Sequence, residues 1–347
     1  MSLAGTLAEV TTLRVGGPAR TMITAGSEAD LIDAVRAADE TGEPVLVLGG
    51  GSNVLIGDEG FDGTVVRIAT RGIDADVSTC SGATVRVAAG EDWDGFVARA
   101  VEQEWSGVEA LSGIPGLVGA TPIQNVGAYG AEVSQTIASV RTWDRVARRQ
   151  TTFSVADCGF GYRWSRFKAE PDRYLVLEVT FQFSLGALSA PVRYAELART
   201  LGVAVGTRVP ASEVRASVLR LRAGKGMVLD AGDHDTWSAG SFFTNPILTS
   251  AEAAQLPMEA PRYDQPDGRV KTSAAWLIEH AGFGKGFGTE IGTGRATLST
   301  KHTLAVTNRG GASASDVLEL AREVRSGVVQ QFGITLVPEP VLVGCFL

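Results

Sequence analysis

Ser112-Gly-Ile-Pro-Gly-Leu-Val-Gly-Ala-Thr-Pro-Ile-Gln-Asn-Val-Gly-Ala-Tyr-Gly130 alternates glycine with apolar residues and carries prolines at 115 and 122. Proline removes a backbone donor and glycine weakens any regular element, so the segment suits neither a helix nor a strand. It suits a backbone laid against the flat face and diphosphate of a large cofactor. A second glycine run lies upstream, in Leu48-Gly-Gly-Gly-Ser-Asn53. Lacking Cβ, successive residues there turn their amides toward an anion, and Ser52 and Asn53 add donors. Taken by itself, this run reads equally well as a tight strand–turn–strand connection.

The strand Val45–Leu48 leading into Gly49 invites comparison with the dinucleotide-binding fingerprint. Gly49 and Gly51 match its first two glycines, but Val54 stands where the third belongs. Val54-Leu55-Ile56 then reads as a strand and Gly57-Asp58-Glu59-Gly60 as a turn, where the fingerprint requires a helix. The doubly wound reading fails.

Outward from the loops, the pattern is α+β. Ser27-Glu-Ala-Asp30 predicts a capping box and a helix through about Ala38, with Leu31, Ile32 and Val35 on one face. Short strands are expected over residues 44–48, 64–68 and 84–88. A helix near 92–104 turns Trp93, Phe96, Val97 and Val101 inward. Leu175, Leu177, Val179, Phe181 and Phe183 alternate like one face of a strand. A helix from Ala211 carries Val214, Val218 and Leu221, and a Gly/Asp-rich loop follows to Gly240. Further on come a helix near Thr272, a strand over 303–307, and a long helix capped by Ser315 that ends near Phe332.

At 347 residues the chain exceeds what one core usually serves. Its net charge of −8, without a long Lys/Arg run, argues against general nucleic-acid binding. Cys80, Cys158 and Cys345 match neither a disulfide framework nor a zinc site, so no metal is expected. Neither a signal peptide nor a membrane-spanning run is visible, which makes the expected location cytoplasmic, without membrane insertion; the expected state is monomeric.

Leu48–Leu55, Ser112–Gly116 and Gln124-Asn-Val-Gly-Ala-Tyr-Gly130 together closely resemble the UDP-N-acetylenolpyruvoylglucosamine reductases, which belong to the flavin-binding superfamily of vanillyl-alcohol oxidase and p-cresol methylhydroxylase (PCMH). The likeness continues through Gly161-Tyr-Arg-Trp-Ser-Arg-Phe-Lys168, Ala239-Gly-Ser-Phe-Phe-Thr-Asn-Pro246, Ala274-Ala-Trp-Leu-Ile-Glu279 and Leu336-Val-Pro-Glu-Pro-Val341. It implies a PCMH-type FAD-binding domain over residues 1–210, in subdomains of about 1–68 and 69–210, and a smaller α+β substrate domain over 211–347. It also implies FAD held by Gly49, Gly50, Gly51, Ser52, Asn53, Ser112, Ile114, Pro115, Gly116, Gly119, Ala120, Thr121, Gln124, Asn125, Gly127, Ala128 and Tyr129. The histidines, His234, His280 and His302, all lie beyond that domain, so the flavin is expected to be dissociable.

The reaction implied is reduction of the vinyl ether of UDP-N-acetylglucosamine enolpyruvate to UDP-N-acetylmuramate, with NADPH as reductant and hydride arriving by way of the flavin. Charge then develops beside the substrate carboxylate, and a proton must be added there. By resemblance Ser241 is the proton donor, and Arg163 and Glu339 are the electrostatic pair. A carboxylate buried beside an arginine is expected to stay ionised. Read without the resemblance, Ser241 is a loop serine bonding its own turn, Arg163 a surface ion pair and Glu339 a solvated carboxylate. A hydrolase elbow is excluded, because Ala239 and Phe243 stand where it needs glycines. The family often has Leu-Glu-x-Glu-Val near its end, whereas Val337 replaces the first Glu here and Pro340 follows the second.

Substrate contacts carried over are Tyr129, Arg163, Tyr194, Lys225, Ser241, Asn245, His302 and Glu339. Tyr194 matches the tyrosine that closes over the uridine diphosphate in the first structural type of the enzyme. A Walker reading of Arg222-Ala-Gly-Lys225 fails for want of the upstream glycine and the following Ser/Thr. Two rivals share the glycine loops: a sibling flavin oxidoreductase, and a nucleotide-sugar or flavin-binding module without catalysis.

Overall fold

The structure, a computed structural model, describes residues 5–347. Three parallel strands, Ala19–Ala25, Phe61–Ile68 and Val45–Leu48, form the first sheet with Phe61–Ile68 in the middle. Parallel neighbours need a crossover, and helix Glu28–Thr41 supplies one. The Ser27 side chain accepts from the Asp30 amide at its start, and Gly42 ends it at φ 70°. Strand Val54–Ile56 follows the glycine run directly, with no helix there, so the structure too excludes the dinucleotide fold.

A second, antiparallel sheet runs in the order Arg149–Ser154, Ile137–Asp144, Tyr174–Leu185, Gly82–Ala88, Ile73–Ser78. Helix Trp93–Glu102 covers one face, packing Trp93 and Phe96 on Phe181 and Phe183. The Phe96 and Phe181 rings lie 4.9 Å apart, and Trp93 Nε1 donates to Leu111 O at 3.0 Å, so its polar tip is satisfied in the core. Val101, expected inward, is only half-buried at the helix edge.

One expectation is corrected here. Leu175 to Phe183 do not share one face, because the pairing of Tyr174–Leu185 with Ile137–Asp144 shifts register between Arg141 and Thr142. A bulge of this kind reverses the alternation. Leu175 and Leu177 therefore pack with Leu31 and Val35 of the first unit, while Val179, Phe181 and Phe183 face the second core. The bulge joins the two units.

The chain then forms helices Ala195–Leu201 and Ala211–Gly224, which bury Val192, Leu197, Val214 and Val218 between them. Leu221 is half-buried. The last core is built around helix Ala314–Phe332, whose Val317, Leu320, Ala321, Val324 and Val328 face Leu277, Ile278 and the strands Ala296–Leu298 and Val306–Asn308. Its cap is Ser313, not Ser315. Ser313 and Asp316 satisfy each other's backbone amides, while the Ser315 hydroxyl donates to Asp58 at 2.6 Å. Asp58 also accepts from the Ala314 amide at 2.7 Å, pinning this helix to the turn after Val54–Ile56. Finally, strand Val341–Val343 pairs in parallel with Val54–Ile56, which returns the chain's end to the glycine loop.

Candidate active site

The two glycine segments meet. A Cβ on Gly50 would lie 2.8 Å from Gly116 Cα, and one on Gly51 would lie 2.0 Å from the Val10 carbonyl. Gly51 also sits at φ 60°, so only glycine fits without displacement. Ser52 Oγ donates to Pro115 O at 3.0 Å, and Asn53 Nδ2 donates to Gln124 Oε1 at 2.8 Å. Among the described residues, the backbone N–H groups of Gly49 through Asn53 donate to no other protein atom. Five successive free amides beside an open cavity of about 750 Å³ form a cradle for an anion. The size is that of a cofactor site.

From Gln124 the network continues to the charged pair. Gln124 Nε2 donates to Glu339 Oε1 at 3.2 Å, and Arg163 Nε lies 2.9 Å from the same oxygen. The Arg163 Nε–H points off that line, so the contact is an ion pair and the N–H keeps no acceptor. A second nitrogen of Arg163 donates to Gly127 O at 2.9 Å. Arg163 occupies a turn closed by the Gly161 and Trp164 backbones, at φ 52°. Left-handed backbone in a non-glycine residue costs about 1–2 kcal/mol, and Asn125 and Tyr129 share it at 48° and 50°. Such strain concentrates at functional sites.

Burial pushes the Glu339 carboxyl above its ordinary range, while Arg163 and then Lys168 pull it down. Desolvation is the larger effect, opposed first by Arg163 and then by Lys168. Lys168, whose Nζ donates to Arg163 O at 3.2 Å, is itself pushed down by burial. The Glu339 segment is flanked by prolines without loss. The Glu339 amide donates to Phe242 O at 2.8 Å and the Val341 amide to Asn53 O at 3.0 Å. Pro338 and Pro340 fall on the alternate positions, where no donor is used.

That Phe242 bond places Ser241 beside Glu339. The Ser241 hydroxyl makes no hydrogen bond among the described residues, so it does not serve its own turn. Asn245 Oδ1 accepts from the Ala274 amide at 2.9 Å, at the start of helix Ala274–His280, and the Asn245 amide donates to the Tyr162 hydroxyl at 3.4 Å.

A second group gathers around Tyr129. Its ring meets Tyr194 edge-on at 5.6 Å, and Lys225 Nζ stands 5.8 Å from its centroid while pairing with Glu196 at 2.6 Å. Burial pushes the Tyr129 hydroxyl up to about 12. Burial, followed by the Lys225 and Lys285 charges, lowers His302 to about 4, so its imidazole is neutral at pH 7.

Several residues expected at the cofactor spend their side chains elsewhere. The Ser112 hydroxyl donates to Glu109 O, the Thr121 hydroxyl to Val118 O, and Asn125 to Glu132 and Gly161. Gly119 packs on Ala89, Ile114 joins the second core, and Ala120 is exposed. Gly127 and Ala128 form a short strand beneath Arg163.

Sequence reasoning missed Arg222. Its guanidinium is buried beside Tyr129 and Asp94, with Nε unpartnered, and burial lowers its pKa. The signal was present: Arg222 continues the buried spacing Val214, Val218 of its helix.

Comparison with known proteins agrees with this geometry. Residues 19–151 match the model of an FAD binding domain, and residues 232–343 match that of the UDP-N-acetylenolpyruvoylglucosamine reductase C-terminal domain. The reductase of that name from Cutibacterium acnes is 65% identical over 98% of this chain and 89% of its own. Its counterpart from Streptomyces coelicolor is 58% identical over 98% and 90%. The crystal structure of the reductase from Thermus caldophilus superposes with a TM-score of 0.68 at 27% identity, covering 98% of both chains. The chain is an FAD-binding α+β oxidoreductase, and it belongs to the family of UDP-N-acetylenolpyruvoylglucosamine reductases.

Proposed function

We propose that this chain reduces UDP-N-acetylglucosamine enolpyruvate to UDP-N-acetylmuramate, a step of peptidoglycan precursor synthesis, with NADPH as electron donor and in the cytoplasm. The observation that supports the reading is the Arg163–Glu339 ion pair, on a segment whose backbone is held by Phe242, next to Ser241, and by Asn53 at the end of the free-amide run Gly49–Asn53. FAD, when bound there, supplies the hydride that reaches the terminal enolpyruvyl carbon.

The protein's part is electrostatic and protonic. Negative charge developing next to the substrate carboxylate is met by Arg163, whose unpartnered Nε–H is free to donate. The Ser241 hydroxyl, unbonded within the protein, gives a proton to the carbon where that charge collects. Glu339, whose pKa burial raises, stands close enough through the Phe242 bond to restore that proton or to orient a water that does. Tyr194, Lys225 and the neutral His302 bind the uridine diphosphate end, with Asn245 nearby. We take the cofactor domain to span residues 1–210 and the substrate domain 211–347, with helix Ala211–Gly224 as the junction.

The test separates the half-reactions. Anaerobic NADPH should bleach the flavin absorbance of the purified protein, and the enolpyruvyl substrate should restore it. A flavin that bleaches but ignores this substrate would assign the chain to another oxidoreductase chemistry.

A further inference from the structure

The 750 Å³ cavity is walled on one side by Gly49 and Gly50 and on the other by residues from outside the two glycine segments. Thr12, Arg14, Arg67 and Trp237 are among them. Two of these carry buried N–H groups without an acceptor among the described residues: Arg67 Nε and Trp237 Nε1. Buried donors are almost always paired, so two orphans on one cavity point to an acceptor-rich ligand.

Trp237 is fixed in place. Thr12 Oγ1 donates to Ser238 O at 2.7 Å, the Thr12 amide donates to Gly51 O at 3.0 Å, and the Asn308 amide donates to Trp237 O at 2.9 Å. The loop between Lys225 and Ser241 is thereby stitched to the glycine cradle. Asp235 holds the same loop, accepting from the Thr300 amide and from Arg309. Arg14, at φ 54°, sets its guanidinium 3.8 Å over the Trp237 ring. Two arginines, an indole and the free-amide residues Gly49 and Gly50 therefore line one space, and two of those side chains hold an unpartnered N–H. Opposing charges, Glu9 and Asp230, are solvent-exposed at the rim, where water screens them.

We propose that Arg67 and Trp237 donate to the adenylate half of the flavin dinucleotide, the part FMN lacks, so that the loop before Ser241 clamps the cofactor as well as leading to the substrate. This rests on the chain holding FAD. It adds a contact from the C-terminal part of the chain to a site otherwise built by the N-terminal part. Loss of FAD would then loosen the same loop that carries Ser241.

The test is titration of the flavin-stripped full chain with FAD and with FMN, which lacks the adenylate, followed by flavin fluorescence. Trp237→Phe keeps an aromatic face and removes the donor; it should weaken FAD about 5-fold, and Arg67→Met about 10- to 100-fold. FMN affinity should be unchanged in both, and ADP should compete with FAD for the parent but less well for the variants. Arg14→Gln, at an exposed position, provides a third variant that leaves the core alone and should weaken FAD in the same selective way. Parallel loss of FAD and FMN would overturn the assignment, as would FAD and ADP affinities equal to the parent's. A parent that takes up neither flavin would sink the cofactor reading itself; a parent that binds FAD beside indifferent variants would sink only this inference.

Discussion

Removing Arg163 should do something that removing Glu339 does not: it should enlarge the rise of stability as the pH falls. The Arg163 and Glu339 side chains are 21% and 11% exposed, so solvent screens the pair only weakly. In Arg163→Met the carboxylate keeps Gln124 but loses its counter-ion, and stranding a buried charge costs about 3–5 kcal/mol. Glu339→Gln strands Arg163 instead, but that guanidinium is more exposed and keeps Gly127 O, so the cost should be smaller, about 1–2 kcal/mol. Burial raises the Glu339 pKa above 4.5, and Arg163 is the chief group opposing that rise. Without Arg163 the folded-state pKa climbs further while the unfolded value stays put. Between those two values the folded protein holds more protons, so its stability is fully present below the unfolded pKa and is lost as pH rises through the folded one. The slope is at most about 1.4 kcal/mol per pH unit. The assay is urea unfolding of parent, both single variants and the double variant from pH 5 to 8. Differences between proteins are compared, because a chain with several cores need not unfold in one step. The double variant should recover most of the Arg163→Met loss. An Arg163→Met penalty that is independent of pH and no larger than that of Glu339→Gln would refute the reasoning.

Ser241→Ala should leave NADPH bleaching of the flavin intact and slow reoxidation by the enolpyruvyl substrate about 100- to 1000-fold, read by stopped-flow absorbance; equal losses in both half-reactions would point to a structural effect. Gly50→Ala pushes a methyl to 2.8 Å from Gly116 Cα, so the two loops must part, and flavin content after purification should fall sharply. His302, lowered to about 4 from 6.5, is neutral in both folded and unfolded states above pH 6.5. As pH falls from there toward 4 the unfolded chain takes the proton first, so about 3 kcal/mol of stability is lost. His302→Asn should flatten that part of the stability profile, measured by unfolding from pH 7 to 4. Tyr194→Ala, losing the ring that meets Tyr129, should raise KM for the uridine-diphosphate substrate more than it lowers kcat, in steady-state kinetics.

What the sequence made legible was local. The Ser27 cap, the helix over Trp93 and Phe96, and the glycine loops all declare themselves through neighbours a few residues away. The strand over Leu175–Phe183 was legible as a strand, but its bulge was not, because that depends on a register shift against Arg141 and Thr142 on another strand. Ser313 and Ser315 are equally plausible caps in sequence; the presence of Asp58 decides between them. At the site, the family resemblance pointed to Arg163 and Glu339, but the link through Gln124 and Asn53 exists only in the folded chain. Lys168 and Arg222 went unnoticed for the same reason, since a buried cation looks like a surface one until its surroundings are assembled.

In the proposed mechanism, the position of Glu339 ties the last strand to residues far from it in sequence. Its amide is held by Phe242, next to Ser241, and two residues later Val341 is held by Asn53, at the end of the glycine cradle. A short extended segment thus bridges the Ser241 loop and the glycine cradle, with a carboxyl between its two anchors. Any shift of one loop relative to the other must change either the Glu339–Gln124 contact at 3.2 Å or the Arg163 pair at 2.9 Å. Pairing of Val341–Val343 with Val54–Ile56 resists such a shift along the strand direction. Pro338 and Pro340 add stiffness by fixing φ on both sides of the glutamate, reducing the backbone freedom that folding must otherwise remove. A group required at one point relative to two independent loops is best carried by a strut that both loops hold, and this is the arrangement the chain adopts.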